Sequence, residues 1–104
     1  MSAQIFFTSV WLDRDRPFDL QTFEAQVVAV PEIIECHYIT GSVDYILRAV
    51  TQDFDTYIGI MDRLRNENAN ICRWETSALV REVKMTTTPL ERLERSRRAG
   101  MGRD

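Results

Sequence analysis

The segment Tyr38–Val50 has the sequence YITGSVDYILRAV, and its Gly41–Asp44 turn carries groups that could bind a small ligand. Gly41 can adopt a positive φ angle and lets a ligand approach the backbone closely. Successive N–H groups of a turn can converge on a carboxylate, and the side chain of Asp44 can pair with an ammonium group. An amino acid carries both groups at a matching separation. The alternative is an ordinary hairpin turn, because Gly and Asp are common turn residues.

The rest of the sequence offers little other chemistry. The phosphate-binding patterns GxxxxGK and GxGxxG are absent. His37, the single histidine, has no Ser or Cys at a recognisable motif spacing, and we interpret it as a hydrogen-bonded interface residue. Cys36 and Cys72 with one histidine are too few ligands for a structural zinc site, so we interpret both as small buried residues. We therefore predict no catalytic residue, no metal and no cofactor.

The composition is that of one globular domain. The chain has 104 residues, of which 44% are hydrophobic and 28% charged, so it can bury a core without disulfides. No apolar run approaches the roughly 18–20 residues that span a bilayer. The first residues, MSAQIFFTSVWLD, contain neither a basic leader nor a small-residue cleavage site. We expect a cytoplasmic protein without a membrane partner.

Charge is distributed unevenly along the chain. Residues 1–88 carry eight Lys and Arg against thirteen Asp and Glu, whereas residues 89–104 carry five Arg against three acidic residues. An acidic folded part repels phosphate backbones, so we predict no direct DNA binding by this chain. Because Pro89 separates the two parts, we predict a folded domain over residues 1–88 and an arginine-rich C-terminal tail over residues 89–104.

Residue patterns predict four strands and two helices. β-branched and aromatic residues predict strands over 4–12, 32–40, 45–51 and about 71–84. The first helix is capped by Asp19 and ended by Pro31, and the second is capped by Asp53 or Asp55 and closed by NENAN. The apolar stripes are Leu20, Phe23, Val27 and Val30 in the first helix and Phe54, Tyr57, Ile58, Met61 and Leu64 in the second.

The resulting order, β-α-β-β-α-β, is the ferredoxin-like arrangement of the α+β class. It places two helices on one face of a four-stranded antiparallel sheet and leaves the other face bare. Alternate residues of the last three strands form a nearly apolar set, which we assign to the helix-covered face: Ile34, Cys36, Tyr38, Tyr45, Leu47, Ala49, Cys72, Trp74, Thr76, Ala78 and Val80.

The opposite set of strand residues is mixed in character. It contains Ile33, Glu35, His37, Ile39, Ile46, Arg48, Val50, Ile71, Arg73, Glu75, Leu79 and Arg81. Such a set is too apolar for a fully wetted sheet and too charged for the core of a monomer, and it has the composition of a protein–protein interface. We therefore predict a homodimer through the open sheet face or its edges.

Three segments, taken together, give the chain a family resemblance. They are VPEIIECHYITGSVDYILRAV, DFDTYIGIMDRL and ICRWETSALVREVKMTTTPL. Their order gives a Pro-Glu-apolar start, a Gly-x-x-Asp turn, a helix, and a Thr-containing strand that ends in apolar-Lys. This set resembles the C-terminal effector domain, or RAM domain, of the Lrp/AsnC transcription regulators over nearly the whole folded chain.

The resemblance implies an amino-acid-sensing and oligomerisation domain and not an enzyme. Family members pair their sheets into a dimeric α/β barrel-like assembly, and dimers join into rings, often octamers. An amino-acid effector lies between dimers near the Gly-x-x-Asp turn. Carried over to this chain, the effector-binding residues are Gly41, Ser42, Val43, Asp44 and Tyr45 at the turn and Trp74 and Thr76 on the fourth strand.

Two departures from the family pattern bear on these expectations. Val43 stands where an aromatic residue is frequent before the Asp, which changes the expected pocket and effector. The regulators also carry an N-terminal helix-turn-helix, whereas this chain starts at the first predicted strand. We therefore expect either an excised effector domain or a stand-alone version that can co-assemble or compete with full-length regulators.

Two other functions are compatible with the same sequence. A small dimeric ferredoxin-like enzyme, such as a cofactor-free monooxygenase, would use a pocket between helices and sheet, with Trp74, Tyr38 and His37 as candidate residues. A bare oligomerisation adaptor would result if Val43 closed the effector site. An enzyme needs a cavity inside the protomer, whereas a sensor needs one between subunits.

Overall fold

The computed structural model describes residues 2–86 together with Glu94 and Arg97. The elements follow in the order β1 (Gln4–Leu12), α1 (Pro17–Val28), β2 (Ile33–Tyr38), β3 (Tyr45–Thr51), α2 (Phe54–Glu67) and β4 (Ile71–Ala78). This order confirms the predicted fold. The strands form one antiparallel sheet in the order β2-β3-β1-β4, so β2 and β4 are its edges. The predicted boundary at Pro89 and nearly all of the arginine-rich tail lie outside the described residues.

Helix α1 begins before the predicted cap. Arg16 is the N-cap and Pro17 the first helical residue, a position where no N–H is needed. Asp19 lies at the third helical position, where its Oδ2 accepts hydrogen bonds from the backbone N–H (3.2 Å) and the Nε (3.0 Å) of Arg16. Asp19 therefore supplies the returning half of a capping box and is not the cap itself. The helix ends at Val28, so Val30 packs on the core from the following loop.

Helix α2 begins at one of the two predicted caps. The Oδ1 of Asp53 accepts a hydrogen bond from the backbone N–H of Thr56 at 2.7 Å. Its apolar stripe differs from the prediction at Phe54, which is 51% exposed, and at Ile60, which is buried. Phe54 is the first helical residue and lies at the rim of the core, with its ring centroid 5.8 Å from that of Phe6.

The core lies between the helices and one face of the sheet. Strands β1 and β3 are central, and their alternate residues are fully covered by the helices. The buried apolar residues are Phe6, Val10, Leu12, Phe23, Val27, Tyr45, Leu47, Ala49, Tyr57, Ile60, Met61, Leu64 and Ile71.

A β-bulge in β2 changes which side chains reach this core. Ile33 pairs with Ala49 and Glu35 pairs with Arg48, so Ile34 is an extra residue without a partner on β3. Because one extra residue reverses the alternation, Ile33 packs on the core and Ile34 is half exposed. The predicted faces of these two isoleucines are therefore wrong, while those of the residues after the bulge are correct.

A second bulge has the same effect at the start of β4. Trp11 pairs with Arg73 and Leu12 pairs with Ile71, which leaves Cys72 as the extra residue. Ile71 is buried and Cys72 is exposed, the reverse of the predicted faces. The prediction that both cysteines are buried is also wrong, because Cys36 is only half-buried.

Strand β4 is shorter than predicted and ends at Ala78. One further backbone hydrogen bond follows it, from the N–H of Leu79 to the carbonyl of Ile5 at 2.8 Å. Residues 79–86 are neither helix nor strand, and three apolar residues among them are exposed: Val80, Val83 and Met85.

Candidate functional site

The Gly41–Asp44 turn joins β2 to β3 and lies beside the C-terminal end of β1. Gly41 has a φ angle of +116°, a conformation that residues with a side chain rarely adopt, and nothing lies within 4 Å of the position where a Cβ would be. Ser42 is exposed, whereas Val43 and Asp44 are half-buried. The turn therefore requires glycine for its backbone conformation and keeps open space beside it.

Asp44 is fixed to both of its neighbouring strands. Its backbone N–H donates to the carbonyl of Val10 (3.1 Å) and its carbonyl accepts from the N–H of Ile39 (3.1 Å). Its carboxylate Oδ2 accepts from the backbone N–H of Leu12 at 2.8 Å. The β1–β3 pairing has ended before Leu12, so the carboxylate takes the place of a strand partner. Asp44 thus has a structural role in addition to the predicted ligand role.

Trp11 is a contact of the turn that the sequence analysis missed. Its indole Nε1 donates a hydrogen bond to the carbonyl oxygen of Ser42 at 2.6 Å. The guanidinium carbon of Arg73 lies 4.6 Å from the centroid of the Trp11 ring, on the neighbouring strand. No sequence pattern marks this contact, because 31 positions separate Trp11 from Ser42.

Tyr45 is placed away from the turn surface. It is 1% exposed under α1, where its ring centroid lies 4.7 Å from that of Phe23 and its hydroxyl donates a hydrogen bond to Glu24. Burial, followed by this hydrogen bond, raises the pKa of Tyr45 well above its ordinary value, so the hydroxyl stays protonated. Tyr45 borders a cavity of about 170 Å³ that is lined by residues of α1 and β2 and by no other residue of the turn.

Trp74 and Thr76 lie on the helix-covered face of β4. Trp74 packs on the core with the guanidinium of Arg65 5.1 Å from its ring centroid, and the Thr76 hydroxyl is 2.7 Å from that of Tyr57. Trp74 pairs with Val10, which pairs with Tyr45, so the β4 and β3 backbones are separated by about 10 Å at this level. Within one protomer, the structure does not bring these two residues to the turn.

The residues proposed for a monooxygenase do not converge either. His37 is exposed and its neighbour Tyr38 lies on the opposite face of β2, while Trp74 lies on the far edge strand. The cavity that Tyr38 lines has a volume of about 170 Å³, which is smaller than the roughly 300–1,000 Å³ of typical ligand pockets. The three side chains therefore form no common site inside the protomer.

The open sheet face combines apolar side chains with paired charges. Phe7 is 39% exposed, and Ile46 and Val50 are half-buried without a covering helix. Arg48 forms an ion pair with Glu35, directly opposite on β2, and Arg73 forms one with Glu75. This face has the mixed composition expected of an interface.

Two further features are absent from the described residues. No helix among them is long and apolar enough to cross a membrane. No cluster of three or more His, Cys, Asp or Glu side chains in that part of the chain could hold a metal ion.

Fold and sequence comparisons define the class of this domain. It is a ferredoxin-like α+β domain with strong likeness to transcription regulators. An AsnC family transcriptional regulator from Agrobacterium tumefaciens superposes with a TM-score of 0.76 at 26% identity, covering 88% of this chain and 60% of that one. A Neisseria meningitidis transcriptional regulator, solved as a complex with L-Met, gives a TM-score of 0.74 at 26% identity, covering 86% and 58%.

The family follows from the sequence match. The model of the Lrp/AsnC ligand binding domain matches residues 5–89, and the chain belongs to this family. The leucine-responsive regulatory protein of Salmonella typhimurium is 31% identical over 87 residues, which are 82% of this chain and 52% of that protein. The proline dehydrogenase transcriptional activator of Rhizobium radiobacter is 29% identical over 82 residues, 79% and 53% respectively. The chain thus spans about half the length of these relatives, which are named as a transcriptional activator and a regulatory protein.

Proposed function

We propose that this ligand-binding domain binds a small amino acid at the Gly41–Asp44 turn, at a junction between copies of the chain, and so changes their assembly and transcription. The observation that carries the proposal is the fixed position of the Asp44 carboxylate, 2.8 Å from the Leu12 N–H, beside a glycine with φ +116° and open space. A carboxylate and a free turn backbone are the groups that an amino acid requires.

The two ends of an amino acid would meet different parts of the turn. Since Oδ2 of Asp44 accepts the Leu12 N–H, the ligand ammonium would pair with Oδ1, and turn N–H groups would donate to the ligand carboxylate. Hydrogen bonds to charged groups contribute about 1.5–3 kcal/mol each. Three or four of them, less the cost of immobilising the ligand, give an affinity on the order of micromolar to millimolar.

The relatives support an amino-acid ligand. The Neisseria meningitidis neighbour, which is 26% identical to this chain, was solved as a complex with L-Met. Side-chain recognition falls to residues around the turn, and Val43 is half-buried there. The other three predicted residues do not reach the turn within one protomer. They would either support the site from behind or contact the ligand from a neighbouring copy: Tyr45, Trp74 and Thr76.

Assembly through the open sheet face is the second part of the proposal. Phe7, Ile46 and Val50 would be covered by a second copy, and paired dimers would form a ring such as an octamer. In this proposal the domain spans residues 1–88, with residues 89–104 as a tail, and it can co-assemble with full-length regulators that supply DNA binding. A monomer mass in light scattering at micromolar concentration would contradict it.

Binding is tested by substituting Asp44 without removing its structural hydrogen bond. Asp44→Asn keeps an oxygen that can accept from the Leu12 N–H but removes the negative charge. The wild type, screened by thermal shift against the twenty amino acids and titrated calorimetrically with the hits, should bind one or a few. Asp44→Asn should weaken that binding roughly 10- to 100-fold, the effect of losing one charged hydrogen bond.

Asp55→Asn provides the matched control. Asp55 is exposed in the first turn of α2, so this variant loses the same charge away from the turn and should bind like the wild type. The proposal is wrong if the wild type binds none of the twenty amino acids, or if Asp44→Asn binds as tightly as the wild type.

A further inference from the structure

Trp11 connects the turn to the open sheet face. It lies between Val10 and Leu12, both of which face the core, so its own ring is on the opposite face. There it pairs with Arg73 on β4, whose guanidinium stacks on the indole and forms an ion pair with Glu75. The same indole donates its N–H to the Ser42 carbonyl. One side chain therefore contacts the turn and also forms part of the surface that a second copy would cover.

Two consecutive residues of β1 reach the turn just past the end of the β1–β3 ladder. The β1–β4 register shifts between Trp11 and Leu12, and the β1–β3 ladder ends at Val10. After this point the Leu12 N–H bonds to the Asp44 carboxylate and the Trp11 indole bonds to the Ser42 carbonyl. The residues on both sides of Val43 are thus held by consecutive residues of one strand.

The indole hydrogen bond also fixes a donor for the ligand. The Ser42–Val43 peptide is trans, so its carbonyl and its N–H point in opposite directions. Because the Ser42 carbonyl is directed at the Trp11 indole, the Val43 N–H is directed away from that indole. That N–H lies next to Asp44, where the carboxylate of an amino acid could accept it.

We propose that Trp11 is a positioning residue that sets the Ser42–Val43 peptide for the ligand carboxylate and couples ligand binding to pairing of the open sheet faces. The inference rests on the proposed function and adds a physical link, the Trp11 side chain, between the ligand-binding turn and the open sheet face. A copy packed on the face restrains the Trp11 ring, which holds the peptide in its binding orientation. By linkage, a ligand that holds the peptide restrains the ring and favours pairing by the same factor.

Trp11→Phe tests the proposal because it retains an aromatic ring against Arg73, although a smaller one, and removes the indole N–H. Calorimetric titration with each of the twenty amino acids should show binding weakened roughly three- to tenfold, as expected for one neutral hydrogen bond. For the wild type, affinity should rise with protein concentration across the range in which dimers form, and for Trp11→Phe this rise should be smaller. Arg73→Gln, which keeps the indole hydrogen bond, should retain ligand affinity at high protein concentration.

A spectrum of the wild type supplies a second readout that does not depend on a variant folding. The chain contains two tryptophans, and the indole N–H signal of Trp11 in a ¹H–¹⁵N correlation spectrum is assigned in the wild type from its Overhauser contacts with the side chain of Arg73. This signal should shift on addition of the bound amino acid and on dilution of the dimer. If the wild type binds an amino acid while this signal stays fixed, or if Trp11→Phe binds with wild-type affinity, the inference is wrong and the proposed function stands. If the wild type binds no amino acid, both are wrong.

Discussion

The two faces of the sheet differ in what covers their apolar side chains and in what pairs with their polar groups. On the helix-covered face, Phe6, Val10 and Leu47 are at most 1% exposed, and even the buried hydroxyl of Thr8 has a partner in Tyr57. On the open face, Phe7 is 39% exposed and the charges are paired only with one another. The first face is completed by the chain's own helices. The second has no cover within the described residues, so its energetics depend on what binds there.

Consecutive phenylalanines of β1 give the largest predicted contrast between the faces. Phe6→Ala should lower the free energy of unfolding by about 3–5 kcal/mol, because it removes a buried ring and leaves a cavity beside Tyr57. Phe7→Ala, one residue along, should cost the monomer far less and instead weaken self-association. Urea unfolding and light scattering over a dilution series measure the two effects.

Similar losses of monomer stability for the two variants would contradict this contrast. Equal association of Phe7→Ala and the wild type would show that copies do not pair through the open face. The interface would then have to lie at the sheet edges, where β2 and β4 offer unpaired backbone groups.

A polar network on the covered face gives the next largest effect. The Tyr57 hydroxyl lies 2.7 Å from that of Thr76 and also bonds to that of Thr8, which is 0% exposed. Tyr57→Phe leaves the Thr8 hydroxyl buried without this partner, which should lower the unfolding free energy by about 1–3 kcal/mol. Tyr38→Phe removes a hydroxyl from a ring that is 56% exposed and should change stability by less than about 0.5 kcal/mol. Equal midpoints in urea for the two variants would show that the network contributes nothing.

The contrast between the faces also marks how far the sequence could predict the fold. The order of elements and the faces of β3 were predicted correctly, because β3 alternates without interruption from Tyr45 to Thr51. The faces of Ile33, Ile34 and Ile71 were wrong, because each lies at a bulge. A bulge arises from the pairing of two strands, so the residue pattern of one strand does not reveal it.

The candidate site, too, could be predicted from the sequence only in part. The turn itself follows from local chemistry, since a glycine with positive φ and an acidic residue are properties of four adjacent positions. Its attachment to β1 does not, because the partners of Ser42 and Asp44 lie 31 and 32 positions away, just past the end of the β1–β3 ladder at Val10. Trp74 and Thr76 were assigned to the site by family resemblance, and in one protomer they serve the core.

The two cysteines provide the smallest and most local comparison. Burial, followed by the charge of Glu24, raises the pKa of the half-buried Cys36 to about 11. At pH 8 roughly one Cys36 in a thousand is then a thiolate, the form that reacts. Cys72 is exposed at the β4 bulge. With a small disulfide reagent at pH 8 in native buffer, Cys72 should be labelled first and Cys36 should become reactive only slowly.

Mass spectrometry of peptides from a labelling time course identifies which thiol has reacted, and Cys72→Ser isolates the slow one. Because the pKa of Cys36 is raised, its rate should increase about tenfold per pH unit from pH 8 to 10, and unfolding in urea should remove the protection. Rapid labelling of Cys36 in the folded Cys72→Ser variant would show that α1 does not stay packed against β2. In that case the helix-covered face would be open to solvent at β2, the edge strand that α1 covers, and the two faces would not differ there.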